Sequence, residues 1–156
     1  MAIAVYPGSF DPFTFGHLDI ATRAAKIFET VNIVVVHNPA KSSRFTSAER
    51  VEMIQAALKD VPGNFKVSTL DNGLLVDYCR QAGASVLVKG IRSSNDVEYE
   101  LAMAKVNRDL TGIETIFLPG EPANSLISST LVKQVADLGG DISKYVPDEV
   151  AKRLRG

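Results

Sequence analysis

The sequence predicts an α/β fold, a parallel five-stranded sheet with helices on both faces, in a single domain spanning residues 1–156. Three observations predict it. The apolar runs are short, β-branched and continuous rather than alternating, as in strands buried on both faces. Helical segments lie between successive runs, so strand and helix alternate, which argues for parallel pairing. A length of 156 residues suits one domain with a sizeable core, and the chain shows no repeat, linker or low-complexity stretch.

The first strand, Ala2 to Tyr6, runs into the loop Pro7-Gly8-Ser9-Phe10-Asp11-Pro12-Phe13-Thr14-Phe15-Gly16-His17. Pro7, Gly8, Pro12 and Gly16 fix or free backbone dihedrals there, so the loop is expected to curl its amides toward an anion. The helix that follows, Leu18 to Phe28, points its positive end at the same place, with His17 in its first turn. The second strand is Val31 to Val36. Its helix, Ser47 to Lys59, starts at a capping box, Thr46 followed three residues later by Glu49. Next come a strand from Phe65 to Thr69, a helix from Leu74 to Gln81 ending near Gly83, and a strand from Ser85 to Val88. A helix from Val97 to Leu110 leads to the last strand, Thr115 to Leu118. After Gly120 and Pro122 the pattern predicts a helix from Ser129 to Asp137, a break at Gly139-Gly140, and a tail helix begun by Pro147.

Seventeen basic residues nearly balance eighteen acidic ones. No global field draws such a chain to nucleic acid or to an anionic membrane, so any anion site is local and the expected partner is small. One cysteine excludes an internal disulfide framework, and there is neither a signal-like run nor a long uncharged apolar stretch; the expectation is a cytoplasmic protein. Cys79 reads as a small buried thiol without chemistry.

In an open parallel sheet, ligands bind beyond the carboxyl ends of the strands, where the strand order reverses. That rule gathers scattered residues into one crevice: Ser9, Thr14 and His17 after the first strand, Lys41 after the second, Lys89 and Arg92 after the fourth, and Ser128, Ser129 and Thr130 after the fifth. Each motif also has a plainer reading. Thr14-Phe15-Gly16-His17 is short, and histidine often starts helices without chemistry. Ile127-Ser128-Ser129-Thr130-Leu131-Val132-Lys133 places three hydroxyls ahead of a helix, which fits phosphate binding or an ordinary serine cap. Lys41 and Arg44 around Ser42-Ser43 fit a phosphate-gripping loop or a solvated turn. Asp96 and Glu98 read as a solvated face complementing a helix dipole, and His37 as structural. The first loop lacks a G-x-G-x-x-G fingerprint, which argues against a dinucleotide oxidoreductase.

Together, the early T-x-G-H and the late I-S-S-T-x-x-K resemble the signature pair of the nucleotidylyltransferase superfamily. Through Tyr6-Pro7-Gly8-Ser9-Phe10-Asp11-Pro12, Lys89-Gly90-Ile91-Arg92 and Asp96-Val97-Glu98-Tyr99-Glu100, the chain resembles over its whole length the bacterial phosphopantetheine adenylyltransferase family within it. The resemblance implies a Rossmann-like fold and a reaction of ATP with 4′-phosphopantetheine giving dephospho-coenzyme A and pyrophosphate, with Mg²⁺ assisting. It implies catalytic roles for His17, Lys41 and Arg92. It places Ser9, Phe10, His17, Gly90, Ile91, Arg92, Glu100 and the stretch Asn124, Ser125, Leu126, Ile127, Ser128, Ser129 and Thr130 at ATP, and Ser9, Lys41, Leu75 and Lys89 at the acceptor. It further implies a homohexamer and feedback by coenzyme A. Lysine stands at position 89 where many members carry arginine, which keeps the charge and gives up bidentate phosphate contacts. Gln134 stands where some carry glutamate, and the tract Glu121 to Ser125 lacks the aromatic some relatives have there.

The chemistry is consistent with that assignment on its own terms. Adenylyl transfer to a phosphate brings two anions together, so repulsion and alignment dominate the barrier. A phosphate monoester, with its second pKa at about 6, is already nucleophilic near neutral pH and needs no general base. His17 is expected to stabilise charge on the α-phosphate in the transition state, and Mg²⁺ to ride on the ATP phosphates without a dedicated carboxylate cluster. Other acceptors, such as nicotinate mononucleotide or a sugar or polyol phosphate, and a nucleotide-binding sensor without turnover, are the competing functions.

Overall fold

A computed structural model describes residues 2–125 and 127–156. In chain order the elements are β1 (Ile3–Gly8), α1 (Phe15–Ala24), β2 (Thr30–Val36), α2 (Ser47–Leu58), β3 (Phe65–Leu70), α3 (Leu75–Gln81), β4 (Val86–Ile91), α4 (Ser94–Thr111), β5 (Glu114–Pro119), α5 (Pro122–Ser125), α6 (Ser129–Asp137) and α7 (Asp148–Arg155). All strand pairs are parallel, in the order β3-β2-β1-β4-β5. The Rossmann-like α/β architecture expected from the alternation is present, and each predicted strand and long helix is found within a few residues of its expected bounds. The chief shift is at α1, which starts at Phe15 because Thr14 caps it, and stops at Ala24.

Side chains along β1 alternate between two cores. Ala4 and Tyr6 pack with Ile20, Ala21 and Ala24 of α1 and with Ile54 and Leu58 of α2. Val5 faces the other way and packs with Val34, Leu87, and Val76 and Cys79 of α3. Both faces of the sheet are therefore covered, which explains the continuous apolar strands. Burial pushes the Cys79 thiol up to about 11, in keeping with a packing role. A third core lies beyond the sheet: Phe45 and Met53 meet Val132 of α6 and Ile142, Val146, Val150 and Ala151 of the tail. That cluster fixes α6 in place. By contrast α4, eighteen residues long, has no buried residue. No helix among the described residues is long and apolar enough to cross a membrane.

Candidate active site

The strand order reverses between β1 and β4, and the carboxyl ends of these two strands open into a cavity of about 240 Å³. Tyr6 to Phe10 line it from the first loop, Thr14, Gly16, His17 and Ile20 from α1 and its cap, and Lys89, Gly90 and Arg92 from β4 and its end. Asp96 and Glu100 of α4 and Asn124, Ile127 and Ser129 complete the wall.

The first loop is shaped by an aromatic ring. Phe10 takes a left-handed backbone conformation, φ 48°, the one non-glycine residue to do so among those described. Its ring meets Tyr6, Phe13 and His17 edge-on, with centroids 5.3, 5.5 and 5.0 Å away. Gly8 and Gly16 were expected to free the backbone, yet neither adopts a positive φ. Close approach explains them instead. A Cβ on Gly8 would come within 2.8 Å of the Phe10 ring, and one on Gly16 within 3.3 Å of the Asn124 carbonyl oxygen.

His17 is the third residue of α1 and half of a capping box. The Thr14 amide donates to Nδ1 at 3.0 Å, and the Thr14 hydroxyl accepts from the His17 amide at 3.4 Å. With Nδ1 accepting a backbone N–H, the ring proton belongs on Nε2. The ring stacks on Phe13, centroids 5.6 Å apart. Burial, reinforced by the charges of Arg92 and Lys89, takes its pKa down to about 3. The imidazole is thus a neutral donor across the physiological range. Desolvation likewise holds the Tyr6 hydroxyl far above its ordinary value.

The cations are held by carboxylates on α4. Lys89 Nζ lies 3.4 Å from Glu100 Oε1. The Arg92 amide donates to Asp96 Oδ2 at 3.2 Å, with the guanidinium Nε 3.7 Å from the same oxygen. Asp96 is therefore a wall of the crevice, which corrects its assignment to a solvated face; Glu98 stays exposed. Among the described residues no three His, Cys, Asp or Glu side chains converge on a possible metal position.

Helix α6 arrives with its start secured. Ser128 is its N-cap, accepting from the Leu131 amide at 3.1 Å, and the Ser129 hydroxyl donates to the Pro12 carbonyl at 2.7 Å. Thr130 faces a neighbouring depression with Ser42, Ser43, Arg44 and Lys133.

The cavity thus brings together Ser9, Phe10, His17, Lys89, Gly90, Arg92, Glu100, Asn124, Ile127 and Ser129. Leu75 lines an adjoining cavity of about 120 Å³ that shares Pro7, Lys89 and Glu100 with the larger one and adds Tyr99, Met103, Asn107 and Thr115. Ile91 ends β4 and does not line the main cavity. Lys41 stands apart from both cavities, exposed in a turn where its amide donates to the Asn38 carbonyl at 3.0 Å. Ser125 is the last residue of α5, and Leu126 lies outside the described residues.

Three residues without an assigned role in the sequence prove central to the geometry. Asp11 accepts the amides of Arg44 and Phe45 and faces Lys133, and these contacts hold its carboxyl below the usual range although burial pushes the other way. Arg50 is buried and donates to the Ser9 carbonyl at 2.7 Å. The available signal was a carboxylate wedged between Phe10 and Pro12, and a lysine one turn into α6.

Residues 5–135 match the cytidylyltransferase-like family model. The chain is 54% identical over 154 residues to the phosphopantetheine adenylyltransferase of Leifsonia xyli, covering 97% of this chain and 96% of that protein. It is 52% identical over 154 residues to that of Clavibacter michiganensis, covering 97% and 94%. Among solved structures it is similar to Plasmodium falciparum nicotinic acid mononucleotide adenylyltransferase complexed with NaAD, with TM-score 0.71 and 13% identity over 98% of this chain and 93% of that one. At that identity the likeness speaks for the fold.

Proposed function

For this chain, which belongs to the cytidylyltransferase-like family and within it to the phosphopantetheine adenylyltransferases, we propose adenylyl transfer from ATP to the phosphate of 4′-phosphopantetheine, giving dephospho-coenzyme A and pyrophosphate. One observation carries the reading: a neutral His17 donor, Lys89 and Arg92 share one cavity at the strand reversal. A bond forms between an acceptor phosphate oxygen and Pα, and the Pα–O bond to pyrophosphate breaks. The acceptor needs no base, because its second ionisation lies at about pH 6. Arg92, Ser129 and the amides at the start of α6 bind ATP phosphates; Ser128 serves as the helix cap and Thr130 lines the neighbouring depression, so neither hydroxyl lines the main cavity. His17 Nε2–H gains its strongest contact as charge builds on the α-phosphate.

On this reading Lys89 meets the acceptor phosphate, and Lys41, outside both cavities here, joins it only when its loop moves toward the crevice. The smaller cavity, with Leu75, Tyr99 and Met103 beside Asn107, suits an arm that is part apolar and part amide. Coenzyme A carries the same arm and an adenylyl group, which supports feedback at this crevice. Asp96 and Glu100 are engaged by Arg92 and Lys89, so Mg²⁺ would be carried by the nucleotide and would supply charge neutralisation on the ATP phosphates.

We further propose self-association through α4, to the homohexamer expected of the family. Met103, Val106 and Leu110, spaced three and four residues apart, are exposed along one face of a helix that has no fully buried residue within the chain, and a second copy is the occupant that fits such an apolar stripe.

Pyrophosphate release with ATP and Mg²⁺ tests the reaction, comparing 4′-phosphopantetheine, nicotinate mononucleotide and no acceptor. Turnover confined to phosphopantetheine is expected. Turnover with nicotinate mononucleotide would move the acceptor, and ATP binding without product in any arm would leave a sensor.

A further inference from the structure

Three segments distant in sequence meet at one carboxylate and one guanidinium. Asp11, buried, accepts the Arg44 amide through Oδ2 at 2.8 Å and the Phe45 amide through Oδ1 at 3.0 Å. Lys133 of α6 places Nζ 3.1 Å from the same Oδ2, across 122 residues of sequence. From the opposite side, Arg50 donates through Nη1 to the Ser9 carbonyl at 2.7 Å and through Nε to the Phe45 carbonyl at 3.1 Å. Arg50 is 1% exposed and has no carboxylate partner among the described residues. A buried charge is costly unless its donors or acceptors are met, and those of Asp11 and Arg50 are met chiefly by the backbone of the two loops at the crevice.

We propose that Asp11, working with Arg50, is a positioning residue for the transfer, an inference that rests on the reaction proposed above. The loop carrying Lys41 hangs from Arg44 and Phe45, three and four residues on. Wherever those two amides are pinned decides what Lys41 can reach. The same carboxylate grips α6, whose start bears Ser128, Ser129 and Thr130, and the same turn bears the Ser9 and Phe10 backbone. Asp11 thereby sets the distance between the acceptor loop and the nucleotide-binding elements. A misplacement of about 1 Å in such an alignment costs about 10²-fold in rate.

The test is Asp11→Asn in the full-length protein. Asparagine keeps the shape but turns one acceptor oxygen into a donor facing an amide or an ammonium. The expected result is an acceptor KM raised about tenfold or more and a lowered kcat, with the Kd for ATP alone within about threefold of wild type. Hydrogen exchange at the Arg44 and Phe45 amides should accelerate. A merely structural role would lower kcat in step with the folded fraction and leave both KM values in place; that outcome, or an unchanged acceptor KM in folded protein, overturns the proposal. Should the variant fail to fold, Lys133→Met, which leaves both amide bonds intact, takes its place: a raised acceptor KM supports the latch and an unchanged one overturns it. Wild-type protein assayed alongside separates the two levels. If it releases no pyrophosphate, the reaction itself is wrong; if it turns over and the variants match its acceptor KM, only the latch fails.

Discussion

Lys89 Nζ stands 3.4 Å from Glu100 Oε1 in the wall between the two cavities, so the cation that the proposed reaction offers to an acceptor phosphate is already held by a carboxylate. An ion pair this accessible contributes at most about 1 kcal/mol, weak enough for a doubly charged phosphate to displace. Opposite signs follow. Lys89→Met should raise the acceptor KM about tenfold or more, while Glu100→Gln, which releases the lysine, should lower it by up to about fivefold. Steady-state kinetics on both variants checks this; movement in the same direction would mean that the pair acts as a unit.

In the proposed reaction, replacing His17 by alanine removes a donor whose contact strengthens in the transition state. Turnover should fall about 10²- to 10³-fold, with the Kd for ATP by calorimetry nearly unchanged. Equal losses in turnover and ATP affinity would assign His17 to ground-state binding.

The pH behaviour of His17 is a separate matter. An unfolded chain protonates this ring near its ordinary value of 6.5, whereas the folded protein resists down to about 3. The depressed value means that His17 favours the folded state above about pH 6.5 and opposes it increasingly as pH falls toward 3. Between pH 8 and 5 its ring signals should not titrate in NMR, and the acid limb of the rate profile should follow the acceptor phosphate. A ring midpoint near 6.5 would contradict the burial account.

Gly8→Ala places a methyl group where the Phe10 ring lies, 2.8 Å away. The ring cannot retreat freely, because Tyr6, Phe13 and His17 surround it. Overpacking of this kind costs about 1–3 kcal/mol, and here it should also weaken ATP binding. Thermal melts with and without ATP measure both; an unchanged melting temperature would show that the ring has room.

Leu110→Lys, on the exposed stripe of α4, should convert the proposed assembly to smaller species in sedimentation velocity without lowering the stability of the chain. Wild-type protein that sediments as a monomer would end the proposal of an assembly.

Much of the fold was legible because parallel sheets announce themselves: the run 31–36 is apolar at every position but Asn32, with both faces covered, and Thr46 with Glu49 marks the start of α2 without help from tertiary structure. The switch-point rule then located the crevice. What stayed hidden depended on approach between distant segments. Gly8 looks like a flexible hinge in sequence, and only the Phe10 ring above it shows that the absence of a side chain is what matters. Asp96 carries the ordinary mark of a helix start, and its second use, holding Arg92, requires knowing where β4 ends. Asp11 and Lys133 are 122 residues apart. Lys41 marks the reverse limit, a residue named by family likeness whose loop lies outside both cavities.

The packing of α6 on Phe45, Met53 and the tail gives remote residues a voice at the nucleotide. Val150 and Ile142 do not line the crevice, yet the helix that presents Ser129 rests on the cluster they build. The sheet draws little on that cluster. Small losses in the tail would therefore register first as weaker hold on ATP and only later as unfolding, so that affinity for the nucleotide serves as the gauge of how well the carboxyl-terminal segment is seated.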